Sequence, residues 1–264
     1  MGTLDSKVIV IIGGTTGLGF SAARAFIARG ARVVVVGRNP NSCATAQSQL
    51  GDSARALPGD AMDPLVAPRA IQLAVETFGK FTGLYHVAGG SGRKFGDGPL
   101  HEISDHGWTA TLDLNLTSLF YSNRAATLQF LQQGGGGTVL NMGSVLGFSP
   151  SPKYFSTHAY AAAKAAIIGL TKASASFYAP HNIRFNVVAP ALVETPMAQR
   201  AVNNPTISHF IPTKQPLDGG RVGAAEDLDG AAVLFMSDQS RFITGQVLAV
   251  DGGWTHSDGQ IASP

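Results

Sequence analysis

Tyr160 and Lys164 lie four residues apart in an alanine-rich stretch, so a helix there would put the phenol and the ammonium on one face, one turn apart. A phenol has a reference pKa of about 10, and it exchanges protons efficiently only when its pKa approaches neutrality. A cation a few ångströms away favours the phenolate. The pair therefore predicts a general acid and base with a lowered tyrosine pKa, although exposed Tyr and Lys side chains also share helix faces without any function.

A serine provides a second hydroxyl at a suitable place. Ser144 follows the run Thr138 to Met142, which is typical of a strand, and ligands of open α/β folds bind at the carboxyl ends of strands. The ordinary role of a serine at such a position is the capping of a turn. The Tyr-Lys pair elsewhere in the chain favours a role in the reaction.

A glycine-rich turn joins the first predicted strand, Val8 to Ile12, to a helix. Pyrophosphate binding needs backbone N–H groups at a helix N-terminus and no side chains that block a close approach, and glycine meets the second need. The strand before and the helix after favour a dinucleotide site over a tight turn whose small residues serve helix packing. The turn consists of Gly13, Gly14, Thr15, Thr16, Gly17, Leu18 and Gly19.

The residues after the second predicted strand, Val33 to Val36, bear on the choice of nucleotide. In a dinucleotide fold, a carboxylate at this strand end binds the adenosine-ribose hydroxyls of NAD, about 20 residues after the glycines. This chain has Gly37, Arg38 and Asn39 there, and a guanidinium can bind a 2′-phosphate through forked hydrogen bonds. NADP(H) is therefore favoured. NAD(H) stays possible, since Arg38 could instead stack on adenine or solvate the strand end.

The scaffold that positions these residues is indicated by the spacing of apolar residues. Short β-branched runs alternate with helical patterns, which predicts βαβ units and a parallel sheet buried on both faces. We expect a single doubly wound Rossmann-type domain of class α/β, with about seven parallel strands and helices on both faces. The predicted strands are 8–12, 33–36, 55–57, 83–87, 138–142, 183–188 and 246–250, and the predicted helices include 42–50, 104–132 and 158–178.

Taken together, these motifs resemble the short-chain dehydrogenase/reductase family, in its shorter-chain branch, over nearly the whole chain. The family's T-G-x-x-x-G-x-G turn corresponds to Ile12 through Gly19, with isoleucine in place of threonine. Its Y-x-x-x-K motif corresponds to Tyr160 and Lys164 without change. The active-site serine of the family corresponds to Ser144, and its active-site asparagine corresponds to Asn115.

The resemblance implies a role for each of these residues. Tyr160 would give or take the proton of the carbonyl oxygen, and Ser144 would orient that oxygen. Lys164 would bind nicotinamide-ribose hydroxyls and lower the tyrosine pKa. Asn115 would hold a water in a proton relay from Lys164, a role compatible with that of a polar residue that satisfies a helix irregularity. The resemblance also implies nucleotide contacts by Asp60, Ala61, Ala88, Gly89, Pro190, Val193 and Thr195.

The chain departs from the family pattern in three places. His86 and Val87 stand where the family usually has two asparagines, so a side-chain hydrogen bond that stabilises the strand is expected to be absent. Ala191 replaces a glycine after Pro190. The interval from Ser144 to Tyr160 is slightly longer than usual. None of these changes removes a group needed for hydride or proton transfer.

Three loops, at 90–98, 145–157 and 203–223, are candidates for the substrate pocket. The last is a candidate lid, because its prolines, glycines and nearby aliphatic residues suit a mobile apolar cover. Arg93 and Lys94 could meet an anionic substrate, although a solvated loop is the simpler interpretation. An acyl thioester, a simple ketone, a steroid, a sugar and a polyketide all remain open as substrates.

The composition narrows the class of protein. Charged residues make up 14% of the 264 residues, the net charge is +2 and basic residues are scattered, so no nucleic-acid partner is expected. The single cysteine, Cys43, excludes an internal disulfide, and no spacing of cysteines or histidines predicts a metal site. No signal peptide or apolar stretch of membrane-spanning length is present, so we expect a cytoplasmic protein without a membrane partner.

The favoured function is an NADP(H)-dependent oxidoreductase that transfers hydride between the nicotinamide and a small-molecule carbonyl or alcohol. The resemblance implies a homotetramer, with interfaces on the helices predicted near 104–132 and 160–178. An alternative is an NADP(H)-binding sensor or regulator without turnover, since fold alone does not exclude it. A complete Asn-Ser-Tyr-Lys set argues against that alternative. A lyase or epimerase with tightly held NAD is disfavoured by the missing acid near Gly37.

Overall fold

Seven strands form one parallel sheet at the centre of the fold. They are β1 (Val8–Ile12), β2 (Arg32–Gly37), β3 (Ala54–Pro58), β4 (Gly83–His86), β5 (Gly137–Met142), β6 (Ile183–Pro190) and β7 (Val247–Val250). In the computed structural model, which describes residues 2–259, their order is β3-β2-β1-β4-β5-β6-β7. All neighbouring strands are parallel. The predicted doubly wound α/β class is confirmed.

Helices cover both faces of the sheet. The helices are α1 (Gly17–Ile27), α2 (Pro40–Leu50), α3 (Val66–Phe78), α4 (Asp105–Leu112), α5 (Ser118–Gln133), α6 (His158–Tyr178), α7 (Gln199–Val202), α8 (Pro205–Lys214) and α9 (Asp229–Met236). Apolar residues of α1, α2 and α9 pack on one face, and those of α3, α5 and α6 pack on the other. The sheet is therefore the middle of three layers.

Alternate residues of β1 show how the sequence builds these layers. Ile9 and Ile11 join the core beneath α1, whereas Val8, Val10 and Ile12 join the core beneath α3. Each of the five is at most 2% exposed. Burial of one such side chain contributes roughly 1.5–3 kcal/mol, so a strand that is apolar on both faces is held firmly in the middle layer. The turn that follows β1 thus starts from a fixed point.

The strand order creates a crevice at the carboxyl edge of the sheet. β1 lies between β2 and β4, although β2 and β3 come between β1 and β4 in the chain. The connections after β1 and β4 therefore run to opposite faces. In open α/β sheets this topological switch point is where ligands bind.

The observed elements match most predicted ones, but one predicted helix is divided, and α7, α8 and α9 lie where no helix was predicted. The bounds of β1 and α6 are those predicted. The single helix predicted over 104–132 is α4 and α5 joined by a π-helical turn, Asp113–Thr117. Within the segment 203–223, α8 was not predicted, because its prolines indicate a loop. Asn204 caps this helix by accepting the N–H groups of Thr206 and Ile207, and Pro205 occupies its first position, where no N–H is needed.

The chain between β6 and α9 leaves the sheet, and the two ends of this excursion, at Val193 and Gly223, lie side by side. Val193 and Gly223 form an isolated parallel bridge. The Glu194 N–H donates to the Gly223 carbonyl at 2.8 Å, and the Gly223 N–H donates to the Leu192 carbonyl at 3.0 Å. Between these anchors, α7 and α8 bury a small apolar cluster of their own, which contains Val145, Leu192, Ala201, Ile207, Ile211 and Trp254.

Candidate active site

The glycine turn after β1 is closed against the end of β4. Gly13 has φ +86°, a conformation that side-chain-bearing residues rarely adopt, and a Cβ there would lie 2.7 Å from the backbone N of Ala88. A Cβ on Gly19 would overlap the carbonyl oxygen of Gly13. Gly13 and Gly19 therefore present bare backbone, and close packing requires glycine at both positions.

The N-terminus of α1 opens from this turn. Thr16 occupies the N-cap position and makes no side-chain hydrogen bond to the helix, so the first-turn N–H groups remain available to an anion. Thr195 and Pro196, in the loop after β6, come within 3.7 Å of where a Cβ on Gly17 would lie. The predicted nucleotide residues of the two loops therefore lie next to each other. Leu18 lies beside them, half-buried.

The candidate adenosine contacts lie along the same edge of the sheet. Arg38 is exposed directly after β2, and the Thr15 side chain packs against Gly37, the last residue of that strand. After β3, Asp60 is exposed and accepts the backbone N–H of Met62 at 3.0 Å. The other candidates on this edge are the half-buried Ala61, Ala88 and Gly89, and the buried Pro190 and Val193.

Tyr160 and Ser144 meet at the carboxyl end of β5. Tyr160 is in the first turn of α6, and Ser144 is buried two residues after β5. Burial raises the pKa of Tyr160, and the side-chain hydrogen bond with Ser144 lowers it in part. The expected lowering of this pKa by Lys164 is therefore not what the structure shows, because desolvation of the phenolate outweighs the favourable contacts.

Lys164 lies on the same helix face as Tyr160, as predicted. Its Nζ is 5.5 Å from the centroid of the Tyr160 ring and donates to the carbonyl of Met142 at 2.8 Å. Burial lowers the pKa of Lys164 to about 8. Within residues 2–259 this ammonium has one hydrogen-bond acceptor for its three N–H donors, which leaves capacity for further oxygens, such as ribose hydroxyls.

Asn115 lies in the π-helical turn between α4 and α5 and is fully buried. Its Oδ1 accepts the Gly90 N–H at 3.1 Å, and its Nδ2 donates to the carbonyls of Gly90 and Thr111, both at 2.9 Å. The predicted helix irregularity is therefore present, and Asn115 ties it to the loop after β4. Near Gly89, Asn115 Oδ1 and Lys164 Nζ are both close to where a Cβ would lie, at 2.7 and 3.7 Å.

Asp97 is a site residue that the sequence reasoning missed. This buried carboxylate accepts the backbone N–H groups of Ala159 and Tyr160, each at 3.0 Å, and so caps α6 from a distant loop. No local signal predicts the contact, because 62 residues separate Asp97 from Ala159. A carboxylate at a helix N-terminus also interacts favourably with the helix dipole.

His86 supplies the hydrogen bonds that were expected to be absent at the end of β4. Its Nε2 lies 3.1 Å from the Ala88 carbonyl and its Nδ1 lies 2.7 Å from the Ser122 hydroxyl. A carbonyl only accepts, so the contact with Ala88 places the proton on Nε2 and leaves Nδ1 as an acceptor. The single Ser122 hydroxyl proton lies within reach of both Nδ1 and the Leu119 carbonyl, which is 2.9 Å from the hydroxyl oxygen. Burial, with the charge of Lys164, lowers the pKa of His86 to about 3, so the ring is neutral. The prediction that this strand end lacks a side-chain hydrogen bond is wrong.

Comparisons with known proteins agree with this geometry. A family profile described as Enoyl-(Acyl carrier protein) reductase matches residues 13–255. The chain belongs to the short-chain dehydrogenase/reductase family. It is 33% identical to 2-(S)-hydroxypropyl-CoM dehydrogenase 3 of Xanthobacter autotrophicus over 96% of this chain and 98% of that protein. It is 32% identical to the 3-oxoacyl-[acyl-carrier-protein] reductase FabG of Chlamydia muridarum over 95% of this chain and 98% of that protein.

A third relative and two solved structures extend the comparison. The 2-dehydro-3-deoxy-D-gluconate 5-dehydrogenase of Dickeya dadantii is 32% identical over 95% of this chain and 96% of that protein. A short-chain type dehydrogenase/reductase from Mycobacterium ulcerans superposes with a TM-score of 0.88 at 28% identity, over 96% of this chain and 91% of that one. Levodione reductase has the same fold, with a TM-score of 0.86 at 23% identity, over 96% and 98%.

Family membership makes the chain an oxidoreductase that acts on CH–OH or C=O groups with a nicotinamide cofactor. The residues of this structure fit such a dinucleotide. Gly13 and Gly19 in the turn after β1 leave no room for a side chain, and the first turn of α1 has no side-chain cap. Among residues 2–259, no three side chains of His, Cys, Asp or Glu gather as a metal site. In the same part of the chain, no helix combines the length and apolar character that crossing a membrane requires.

Proposed function

We propose that this protein is an NADP(H)-dependent dehydrogenase/reductase that interconverts a carbonyl compound and its alcohol, with Tyr160 as the general acid and base. The single observation that carries the proposal is the convergence of Tyr160, Ser144, Lys164 and Asn115 beside the glycine turn. The relatives act on different compounds by their names, so the family narrows the substrate only to a carbonyl or an alcohol.

Tyr160 and Ser144 would hold the substrate oxygen. A bound nicotinamide supplies or accepts the hydride at the substrate carbon. Tyr160 donates its proton to the oxygen during reduction and removes it during oxidation, and the Ser144 hydroxyl fixes the direction of that oxygen. The interaction with the Ser144 hydroxyl, which lowers the Tyr160 pKa, supports this assignment.

Lys164 would counter the cost of ionising a buried phenol. Burial raises the Tyr160 pKa, so a phenolate needs positive charge close by. Lys164 supplies such a charge and can bind ribose hydroxyls with its remaining donors. Asn115 Oδ1 and Lys164 Nζ both lie close to Gly89, which supports a relay water between them.

Arg38 supports NADP(H) over NAD(H). It is exposed at the end of β2, and neither Gly37 nor Asn39 beside it carries a negative charge. The guanidinium would pair with the 2′-phosphate, and Asp60, Ala88, Thr195 and the other predicted contacts would bind the rest of the nucleotide. In this proposal the segment 203–223 covers the substrate as a lid. Its helix α8 buries Ile207 and Ile211 in one apolar cluster with Trp254.

Nicotinamide absorbance at 340 nm tests the function with a panel of ketones, aldehydes and alcohols. We expect turnover by the wild type, with kcat/KM higher for NADPH than for NADH.

Tyr160→Phe should reduce kcat/KM by about 100- to 10,000-fold and leave the Kd of NADPH unchanged, because only proton transfer is removed. Arg38→Ala should weaken NADPH by about tenfold or more and leave NADH unaffected. Tight NADPH binding without turnover of any compound would contradict the enzymatic assignment.

A homotetramer would cover the apolar groove between the π-helical turn and α6. Leu116, Phe120 and Leu170 line this groove, and Phe120 is 41% exposed. Farther along α5, Leu128 and Leu131 are also exposed. Light scattering after size-exclusion chromatography should give four times the chain mass for the wild type and a lower mass for Phe120→Glu. A monomeric wild type would contradict the assembly.

A further inference from the structure

Gln215 is a buried amide at the end of α8. It is 3% exposed, although glutamine is mostly a surface residue. Its backbone N–H donates to the Ile211 carbonyl at 2.7 Å and so completes the last turn of the helix. A side-chain amide that is removed from water costs free energy unless it is hydrogen-bonded, so its partners show what holds it inside the protein.

The main partners of this amide are the two backbone polar groups of one residue, Leu192. Oε1 of Gln215 accepts the Leu192 N–H at 2.9 Å, and Nε2 donates to the Leu192 carbonyl at 3.2 Å. Nε2 also lies 3.4 Å from the Arg221 carbonyl. Because an N–H only donates and a carbonyl only accepts, these contacts fix which end of the amide is the oxygen. The side chain therefore pairs with Leu192 as the backbone of a neighbouring strand would.

Leu192 needs such a partner because it lies beyond the sheet. The ladder between β6 and β5 ends at Val188, and the ladder between β6 and β7 ends at Pro190. Leu192 is buried, and buried backbone groups need hydrogen bonds. Its carbonyl also accepts the Gly223 N–H, but the acceptor of its own N–H is the Gln215 side chain. The position of the chain after β6 therefore depends on a side chain from the end of α8.

Leu192 leads directly into the segment predicted to contact the nucleotide. Val193 and Thr195 follow it, and both are buried. The Thr195 side chain comes within 3.7 Å of where a Cβ on Gly17 would lie, which places this segment against the first turn of α1. A shift of Leu192 would therefore move the surface that a bound nucleotide touches.

The amide connects this segment to α8. The buried isoleucines of α8 pack in the same apolar cluster as Leu192. After the helix, the Leu217 N–H donates to the Gly252 carbonyl at 3.0 Å, and a Cβ on Gly252 would lie 3.1 Å from the Cβ of Gln215. The end of α8 is thus fastened at two places, beside the end of β7 and, through the amide, beyond the end of β6.

We propose that Gln215 is a positioning residue that couples nucleotide binding to substrate binding. A nucleotide bound against Val193 and Thr195 fixes Leu192, and the Gln215 amide then holds α8 in place over the substrate. Since such coupling is reciprocal, a bound carbonyl substrate also tightens the binding of the nucleotide. The inference rests on the proposed function, which places the nucleotide at Thr195 and the substrate beneath the segment 203–223.

Hydrogen exchange of the wild type with and without NADPH is the first test, and it needs no variant. We expect NADPH to slow amide exchange by about tenfold or more in peptides that cover 192–195 and also in peptides that cover 205–214. Slower exchange in 192–195 alone would overturn the coupling.

Gln215→Met removes the polar atoms of the side chain and keeps its length. In this variant NADPH should slow exchange in 205–214 by less than about twofold, whereas the Kd of NADPH alone should change by less than about threefold. For the carbonyl compound that the wild type reduces with the highest kcat/KM, KM should rise by about tenfold and kcat should change little, because the amide acts on the position of α8 and not on proton transfer. If this variant does not fold, Gln215→Glu takes its place, since it retains an acceptor for the Leu192 N–H.

Gln47→Met is the matched control. Gln47 makes the same kind of pairing, because its Oε1 accepts the Ala56 N–H at 2.9 Å and its Nε2 donates to the Ala54 carbonyl at 3.1 Å. This pairing is with β3, at the opposite edge of the sheet from β7. The control should lose stability and keep both the KM and the exchange response of 205–214. A response to NADPH that survives in Gln215→Met, or an equal rise of KM in both variants, would overturn the proposal.

Nucleotide binding and turnover separate this inference from the proposed function. Tight NADPH binding and reduction of carbonyls, without coupled exchange in α8, would overturn the role of Gln215 and leave the oxidoreductase function in place. Coupled exchange that Gln215→Met abolishes, with no carbonyl reduced, would support the coupling and overturn the function. Failure to bind NADPH would overturn both.

Discussion

The carboxylate of Asp97 accepts the backbone N–H of Tyr160 at 3.0 Å, which connects the loop after β4 directly to the proposed catalytic residue. Asp97→Ala should lower the free energy of unfolding by about 1–3 kcal/mol, because two charge-assisted hydrogen bonds are lost. It should also lower kcat more than it raises KM, since the phenol is no longer held in position. Urea denaturation and steady-state kinetics measure both effects. Asp97→Asn keeps one acceptor, so its free energy of unfolding and its kcat should lie between those of the wild type and the Ala variant. An Ala variant with unchanged kcat would contradict a positioning role for Asp97.

The buried ammonium of Lys164 should make stability depend on pH. Its pKa is lowered from 10.5 to about 8. Between these values the folded protein has released a proton that the unfolded chain still binds, so the free energy of unfolding should rise as the pH increases from about 8 towards 10.5. Urea denaturation between pH 7 and 10 measures this rise. In Lys164→Met this contribution should be absent, and an identical pH dependence in the two proteins would disprove the assignment.

Gly19 should tolerate no side chain. A Cβ there overlaps a backbone oxygen of Gly13, so Gly19→Ala must open the turn. We expect a loss of about 1–3 kcal/mol in stability and weaker nucleotide binding, measured by denaturation and by fluorescence titration with NADPH. Gly230→Ala is the control, because a Cβ at this position in α9 meets nothing within 4 Å. It should be neutral or stabilising by up to about 1 kcal/mol, and equal losses in both variants would contradict the steric argument.

The neutral ring of His86 should be replaceable by an amide but not by a methyl group. His86→Ala leaves the Ala88 carbonyl and the Ser122 hydroxyl without this partner and creates a cavity, so stability should fall by about 2–4 kcal/mol. His86→Asn should cost less, since an amide both donates and accepts. Thermal denaturation compares the three proteins. Because the folded ring stays neutral near pH 6 while the unfolded histidine binds a proton below about pH 6.5, the wild type should lose stability relative to His86→Asn as the pH falls from 8 to 5. A difference that stays constant over this range would contradict the neutral ring.

The sheet and its longest helix were predictable because their signals are local. The run Val8 to Ile12 is β-branched throughout, and the stretch from His158 to Tyr178 contains no proline and many alanines. The helix α8 was not predictable in the same way. Pro205 and Pro212 indicate a loop, whereas the cap by Asn204 and the burial of Ile207 and Ile211 stabilise the helix.

The site residues likewise fall into those that a local sequence signal predicts and those that it does not. Tyr160 and Lys164 share one helix turn, so their spacing alone predicts that they lie together. Asp97 contacts Tyr160 across 63 residues. Such contacts depend on how loops fold over the sheet, for which no periodic pattern exists. His86 was misjudged because its bonds to Ala88 and Ser122 depend on α5 packing against β4.

The bridge between Val193 and Gly223 has a consequence for how this enzyme can diversify. Both ends of the excursion that contains α7 and α8 are fastened at one place, so the distance the intervening chain must span is short and constant. Insertions and deletions between the fastened ends cost little loop-closure entropy and leave the strands in register. In the proposed function, substrate range can therefore change by exchange of α7 and α8 alone, with Thr195 and the residues of hydride and proton transfer retained.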